Sequence, residues 1–384
     1  MRERGARQRL LRRALVAMAL GGTLLAGCAG GPAANRAGLD HSDNEDEASP
    51  TGSQSPGVEE DNESPTESAP EDPPNLPTAE PNVSLDPGTA IPAVPDACCL
   101  AAFPNGDLLV GTTGGNLSRV TEQGDITDVG QLQGALTELL ALAIPPDDEP
   151  DTLYAYYAGA SSSSVAAYGY DPTEPDGAQV NSTNQQIVRY LPHADSRSGG
   201  ALTFGPEDGL LYVGIGDAGN AELATSPTSG AGKILRIEQN TPLPVDGGNI
   251  ATESLVHSSG HGDIRGLAWD DVNRLWSVEV DPDGVTEVNA VIPQARYDEE
   301  APKHSWEASE VDPVGLAYGA VSLWVPSRGQ GLWRLPLDLS AAEVSGAPQL
   351  LADDLTAPTA VLPDASDGPL RVLIGDVVQP YGIS

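Results

Sequence analysis

The sequence predicts an all-β fold, a six-bladed β-propeller, on three observations. One unit recurs six times along 384 residues, each copy reads as two short β-runs around a turn, and no segment sustains a helical period. The unit is a small or apolar stretch, a turn rich in Pro, Asp, Asn or Gly, and then Leu-X-Val or a close variant. Six similar hairpins in strict succession favour radial repetition, which keeps sheet edges short and protected, over a β-sandwich.

The copies follow one another as LAAFPNGDLLV (100–110), LALAIPPDDEPDTLYA (140–155), GALTFGPEDGLLYV (200–213), RGLAWDDVNRLWSV (265–278), VGLAYGAVSLWV (314–325) and TAVLPDASDGPLRV (359–372). Further β-runs come after several of them, as in GNLSRVTEQGDI (115–126), GKILRIEQN (232–240) and GLWRLPLDL (331–339). Two hairpins make one four-stranded blade. Leu, Val, Phe and Trp in these units are read as core.

The N-terminus has a different character. MRERGARQRLLRR is a basic stretch, Ala14 to Leu25 is a short apolar run, and LAGC ends at Cys28. That order matches a lipoprotein leader, so residues 1–28 are expected to be a signal peptide ending at the lipidated Cys28. The apolar run is short for a membrane span. Acyl chains on Cys28 would anchor the protein to a bacterial membrane on its extracytoplasmic face. Residues 29–87 are rich in Ser, Pro, Glu and Asp and carry no Lys or Arg after Arg36, so they read as a disordered acidic tether, with the folded domain at 88–384.

The folded part carries twelve Lys or Arg against about three times as many carboxylates. Such a balance repels nucleic acid and excludes it as a partner. A monomer is expected. Cys98 and Cys99, adjacent in DACCLAAFP, are either a vicinal disulfide or two buried thiols, and with Cys28 they are too few for a zinc site. No GxSxG or HExxH motif suggests a hydrolase.

The wording of the units resembles the PQQ-dependent glucose/sorbosone dehydrogenases, from about residue 95 to 372. The matching stretches are GGALTFGPEDGLLYVGIGDAG (199–219), AGKILRI with LPVDGG (231–248), SGHGDIRGLAW (259–269) and EVDPDGVTEVN (279–289). The resemblance implies a six-bladed propeller, the cofactors PQQ and Ca²⁺, and oxidation of sugars with a histidine base in an HxGG motif. Here Arg197 stands in that slot, and a guanidinium that stays protonated cannot accept the proton. Where the family reads GHRNPQG, the cofactor-contacting slots hold Gly262, Asp263 and Arg265. Leu136 stands for a Gln, Ala357 and Thr359 fall near a pair of arginines, and Arg328 replaces a Lys. Asp281 and Pro282 align with the backbone donors to calcium.

Two functions follow. In the first, the active site is lost or altered and a lipid-anchored propeller binds a partner or a small anionic or sugar-like ligand, with Arg197, Arg265 and Arg328 lining the pocket beside Asp263 and Glu279. Alternatively, those arginines are neutralised by Asp217, Asp263 and Glu279 in a closed pocket. In the second function, an active sugar or aldehyde dehydrogenase uses Asp217 or His193 as base, with PQQ or another oxidant. His193 also reads as a solvated loop residue, Asp217 as a turn residue, and His261 as a packed histidine.

Overall fold

The computed structural model describes residues 76–384, apart from 135, 195, 240, 242, 356 and 364–368. The leader, Cys28 and most of the acidic segment lie outside the described residues. Among those described, no helix is long and apolar enough to cross a membrane.

The chain forms six small antiparallel sheets arranged as the blades of a ring. Before the first blade come two short strands, β1 (Leu85–Pro87) and β2 (Ile91–Pro92). Blade 1 holds β3 (Ala97–Ala102), β4 (Leu108–Thr112), β5 (Asn116–Val120) and β6 (Ile126–Gln131). Blade 2 holds β7 (Glu138–Ala143), β8 (Thr152–Ala158), β9 (Ser163–Tyr170) and β10 (Val180–Leu191). Blade 3 holds β11 (Gly199–Phe204), β12 (Leu211–Ile215), β13 (Lys233–Ile237) and β14 (Val256–Ser259), with the one-turn helix α1 (Ala221–Thr225) inserted before β13.

Blade 4 holds β15 (Asp263–Trp269), β16 (Leu275–Val280), β17 (Thr286–Val291) and β18 (His304–Trp306). Blade 5 holds β19 (Ala317–Gly319), β20 (Ser322–Ser327) and β21 (Gly331–Asp338), the last pairing with both β22 (Glu343–Val344) and β23 (Gln349–Leu351). Blade 6 holds β24 (Pro358–Leu362), β25 (Leu370–Ile374) and β26 (Val377–Ile383). Each of the six sequence repeats is the first hairpin of one blade.

The ring is closed by the N-terminus. β1 pairs with β26 through Leu85↔Ile383, Asp86↔Gly382 and Pro87↔Tyr381, and β2 pairs with the other end of the same strand. Further upstream, Thr78 bridges Asp338, and the buried Arg334 guanidinium donates to the Glu80 carbonyl at 2.6 Å. The folded body therefore begins before residue 88, and the tether's expected end at 87 is too late. Leu85 and Val83 pack into the last blade interface, which an acidic, Pro-rich composition conceals.

Six apolar clusters fill the six gaps between neighbouring blades. Leu109 and Leu117 meet Leu139 and Tyr157 between blades 1 and 2, and Trp276 and Val278 meet Leu323 and Leu335 between blades 4 and 5. Both faces of a blade are thereby buried, so a strand such as TLYAYYA is apolar almost throughout rather than alternating. Each large side chain so buried stabilises the ring by about 1.5–3 kcal/mol.

The first strand of each blade is innermost. In five of them the pairing shifts register within the first residues: Ala97/Cys99, Leu139/Ala141, Gly199/Ala201, Ile264/Gly266 and Pro358/Ala360. In the fifth blade the approach to β19 makes only an isolated bridge, Pro313↔Ser327. Bulges re-aim side chains and free backbone groups from the ladder. They fall at the leading end of these strands, the end beside which Arg197 and Asp263 stand.

Candidate functional site at the channel mouth

Arg197 and Asp217 occupy the turns flanking the β11–β12 ladder. Arg197 has a left-handed backbone, φ 65°, uncommon for a residue with a Cβ. Its carbonyl accepts from Ala218 N at 2.9 Å, and a Cβ on Gly216 would collide with that carbonyl. The glycine after the strand is therefore what lets Arg197 take its position.

The Arg197 side chain donates four hydrogen bonds. Nε and Nη2 reach the two oxygens of Asp217 at 2.8 and 2.7 Å, Nη2 also reaches the Val280 carbonyl at 2.9 Å, and Nη1 reaches the Asp281 carbonyl at 3.0 Å. Asp217, 1% exposed, also accepts from Gly219 N at 2.9 Å. Asp217 raises the Arg197 pKa above its usual value. Both oxygens of the expected Asp217 base are thus engaged by a permanent cation, and the Asp281 carbonyl, a calcium donor by resemblance, holds that same cation.

Asp263, 1% exposed, begins β15 and spans two blades. One oxygen accepts from Gly199 N at 2.9 Å, and the other from Arg265 Nε and Nη2, both at 2.6 Å. Arg265 is thereby neutralised by its neighbour. Arg328 stands apart: it is half-exposed and pairs with an equally exposed Asp312 at 3.1 Å. The three arginines expected in one pocket each have their own carboxylate. His193 is half-buried, with Nδ1 3.3 Å from Ser163 Oγ and 3.2 Å from Ser198 Oγ.

Glu279 is buried beside a histidine rather than an arginine. His261 Nδ1 lies 2.8 Å from Glu279 Oε2, His261 Nε2 lies 2.8 Å from Ser258 Oγ, and Asn289 Nδ2 donates to Glu279 Oε1 at 3.1 Å. The imidazole stacks on Tyr297, centroids 4.3 Å apart. Ser258, His261 and Glu279 have triad-like spacing, but Ser258 is fully buried, so its hydroxyl is not offered to a substrate. The chain ties β14, β16 and β17 together.

Beside this chain lies a cavity of about 200 Å³, walled by α1 and lined by His261, Glu279, Asp281, Pro282, Glu287, Tyr297 and Asp298. Burial, with Glu279 and Asp281 adding repulsion, pushes the Glu287 carboxyl up to about 7. Beneath α1, Lys233 donates to the carbonyls of Leu223, Ala224 and Ala231 at 3.3, 2.5 and 2.8 Å, and burial lowers it to about 8. Sequence reading missed Glu287, Asp298 and Lys233. Glu287 had one signal, its place in EVDPDGVTEVN two residues before Asn289; Lys233 sits in AGKILRI, where the flanking apolar residues draw attention to the strand. Among the described residues, no three His, Cys, Asp or Glu side chains are grouped as metal ligands.

The glucose/sorbosone dehydrogenase family model matches residues 95–311. Among solved structures, the PQQ-bound aldose sugar dehydrogenase of Streptomyces coelicolor is 29% identical with a TM-score of 0.72, covering 80% of this chain and 100% of that one. The fold is shared at lower identity by the apo-form soluble aldose sugar dehydrogenase of Escherichia coli (18%, TM-score 0.63, 79% and 99% covered). It is shared also by the PQQ domain of pyranose dehydrogenase from Coprinopsis cinerea (13%, TM-score 0.56, 80% and 99% covered). No curated protein matches the chain. A family match over more than half the sequence, on a ring of six blades, places this chain in the glucose/sorbosone dehydrogenase family.

Proposed function

We propose that this propeller has kept the frame of the sugar dehydrogenases without their oxidation chemistry, and that it serves as a lipid-anchored binding protein outside the cytoplasm. The observation that carries the reading is the fourfold grip on Arg197. A cation bonded to Asp217 and to the carbonyls of Val280 and Asp281 stands where the family has a base.

PQQ, a tricarboxylate held with calcium, does not fit these residues. The Asp281 carbonyl already accepts from Arg197, and Asp263 puts a carboxylate where the family contacts its cofactor. Arg265 is committed to Asp263. The adjoining cavity, about 200 Å³, is smaller than the ~300–1,000 Å³ usual for ligand pockets, and its lining repels carboxylates. Of the two ligand chemistries the sequence suggests, anionic and sugar-like, that lining favours the second. Sugar hydroxyls donate to Glu287, Asp298 and Asp281, whereas an anion meets like charge.

The test is reconstitution of the full chain with PQQ and calcium, followed by dye-coupled assay on a panel of aldoses. Absence of bound-quinone absorbance and of dye reduction is expected. Saturable cofactor uptake with turnover overturns the proposal. For the anchor, labelling of expressing cells with a fatty-acid analogue should mark the native chain and spare Cys28→Ala; equal labelling of both removes the lipid anchor.

A further inference from the structure

The adjacent thiols of Cys98 and Cys99 are chemistry that the proposed binding role does not use. In a regular strand, neighbouring side chains face opposite ways. The register shift between Ala97 and Cys99 breaks that alternation, and the two free sulfurs lie 2.7 Å apart. Both face one acceptor, the Leu139 carbonyl, at 3.6 and 3.7 Å, and Cys98 Sγ also lies 3.5 Å from the Gly111 carbonyl. Leu139 is in the first residues of β7, so the pair sits at the bulged leading end of the innermost strands, the end beside which Arg197 and Asp263 stand.

The two sulfurs differ in access. Cys99 is 4% exposed, while Cys98 is partly open. Burial, reinforced by the Cys98 contact, pushes the Cys99 thiol well up. An incoming oxidant therefore meets Cys98 first, and Cys99 is the second sulfur, already in place.

We infer that Cys98 and Cys99 are a reversible dithiol–disulfide couple at the bulged start of the innermost strands, oxidised by low-molecular-weight or protein disulfides. In the forward direction the Cys98 thiolate attacks the external disulfide, forming a mixed disulfide and releasing one thiol. The Cys99 sulfur then attacks Cys98 Sγ, closing the Cys98–Cys99 bond and expelling the second thiol. The pair loses two electrons and two protons, and the external disulfide gains them. Neighbouring Cα atoms are ~3.8 Å apart, inside the ~4.4 Å lower limit of ordinary disulfides, and such bonds are readily reduced. Reversibility follows from that closeness.

The test uses the full native chain. Trypsin cuts after Arg36 and Arg119 with no site between, so both thiols travel on one peptide, separate from Cys28. After oxidised glutathione and then a maleimide, that peptide should pass from two labels to none, lighter by two hydrogens and free of glutathione. Dithiothreitol should restore both labels. Cys99→Ser should trap glutathione on Cys98, since the second sulfur is gone. Two labels surviving oxidation, a lasting glutathione adduct on the native peptide, or an interchain bond each overturns the inference.

Discussion

Arg197 and Asp217 face each other across the open end of the β11–β12 ladder, joined by two parallel hydrogen bonds of 2.8 and 2.7 Å. The ladder itself sets this meeting. Gly199 pairs with Ile215, and the two charged residues lie two positions beyond that pair, one before β11 and one after β12. A bidentate pair of this kind is strong and directional.

Removing the carboxylate leaves a partly buried guanidinium with only carbonyl partners. Asp217→Ala should lower unfolding stability by about 2–4 kcal/mol, read from urea denaturation. Arg197→Met combined with Asp217→Leu should recover much of the loss. Additive losses in that double variant would mean the two residues are not coupled.

Restoring the imidazole alone should not restore an enzyme. Arg197→His supplies a titratable nitrogen, but Asp263, Arg265 and Leu136 still stand where the resemblance places the cofactor's contacts. Dye reduction with PQQ, calcium and aldoses should stay at background. Turnover in this single variant would show that the remaining pocket still holds the cofactor.

Glu287 gives the fold a pH dependence of definite sign. Its carboxyl is pushed up to about 7 in the folded protein, against about 4.3 in an unfolded chain. The folded state therefore binds the extra proton, and stability falls as pH rises from about 4.3 to 7. Glu287→Gln should flatten this part of the Tm–pH curve and stabilise the protein at pH 8, by about 1 kcal/mol after solvent screening. A curve unchanged by the substitution would remove Glu287 as the source.

Ring closure makes a prediction about truncation. Deleting residues 1–75 leaves β1, Glu80 and Thr78 in place, so Tm should stay within a few degrees of the full chain. Deleting residues 1–92 removes both strands that pair with β26 and the carbonyl that receives Arg334. That loss opens an edge and strands a buried guanidinium. A fall in Tm of about 10 °C or more is expected by differential scanning calorimetry.

The blades were legible because apolar hairpins advertise themselves: Leu108–Val110 and Leu211–Val213 are both completely or almost completely buried, as their spacing demanded. The closing strand was not, since Asp86 and Pro87 carry no β signal and acquire strand geometry only through β26. That Arg197 stands where the resemblance expects a histidine was visible in one letter. Of its four acceptors, the two oxygens of Asp217 were anticipated as a neutralising carboxylate, but the Val280 and Asp281 carbonyls were not, because any residue supplies a backbone carbonyl. Arg328 shows the opposite limit: alignment put it in the pocket, while side-chain direction put it half-exposed beside Asp312. Arg334, wholly buried among Ser322, Gln349 and Glu80, drew no attention in the sequence.

The irregular starts of the innermost strands have a consequence for how such a molecule changes over generations. Where a ladder slips, Leu139 and Ile264 still pack between blades, while Arg197 and Asp217, just outside the ladder, hold each other. A rim residue can therefore be exchanged only together with the partner that holds it, and a lineage changes such a site in pairs.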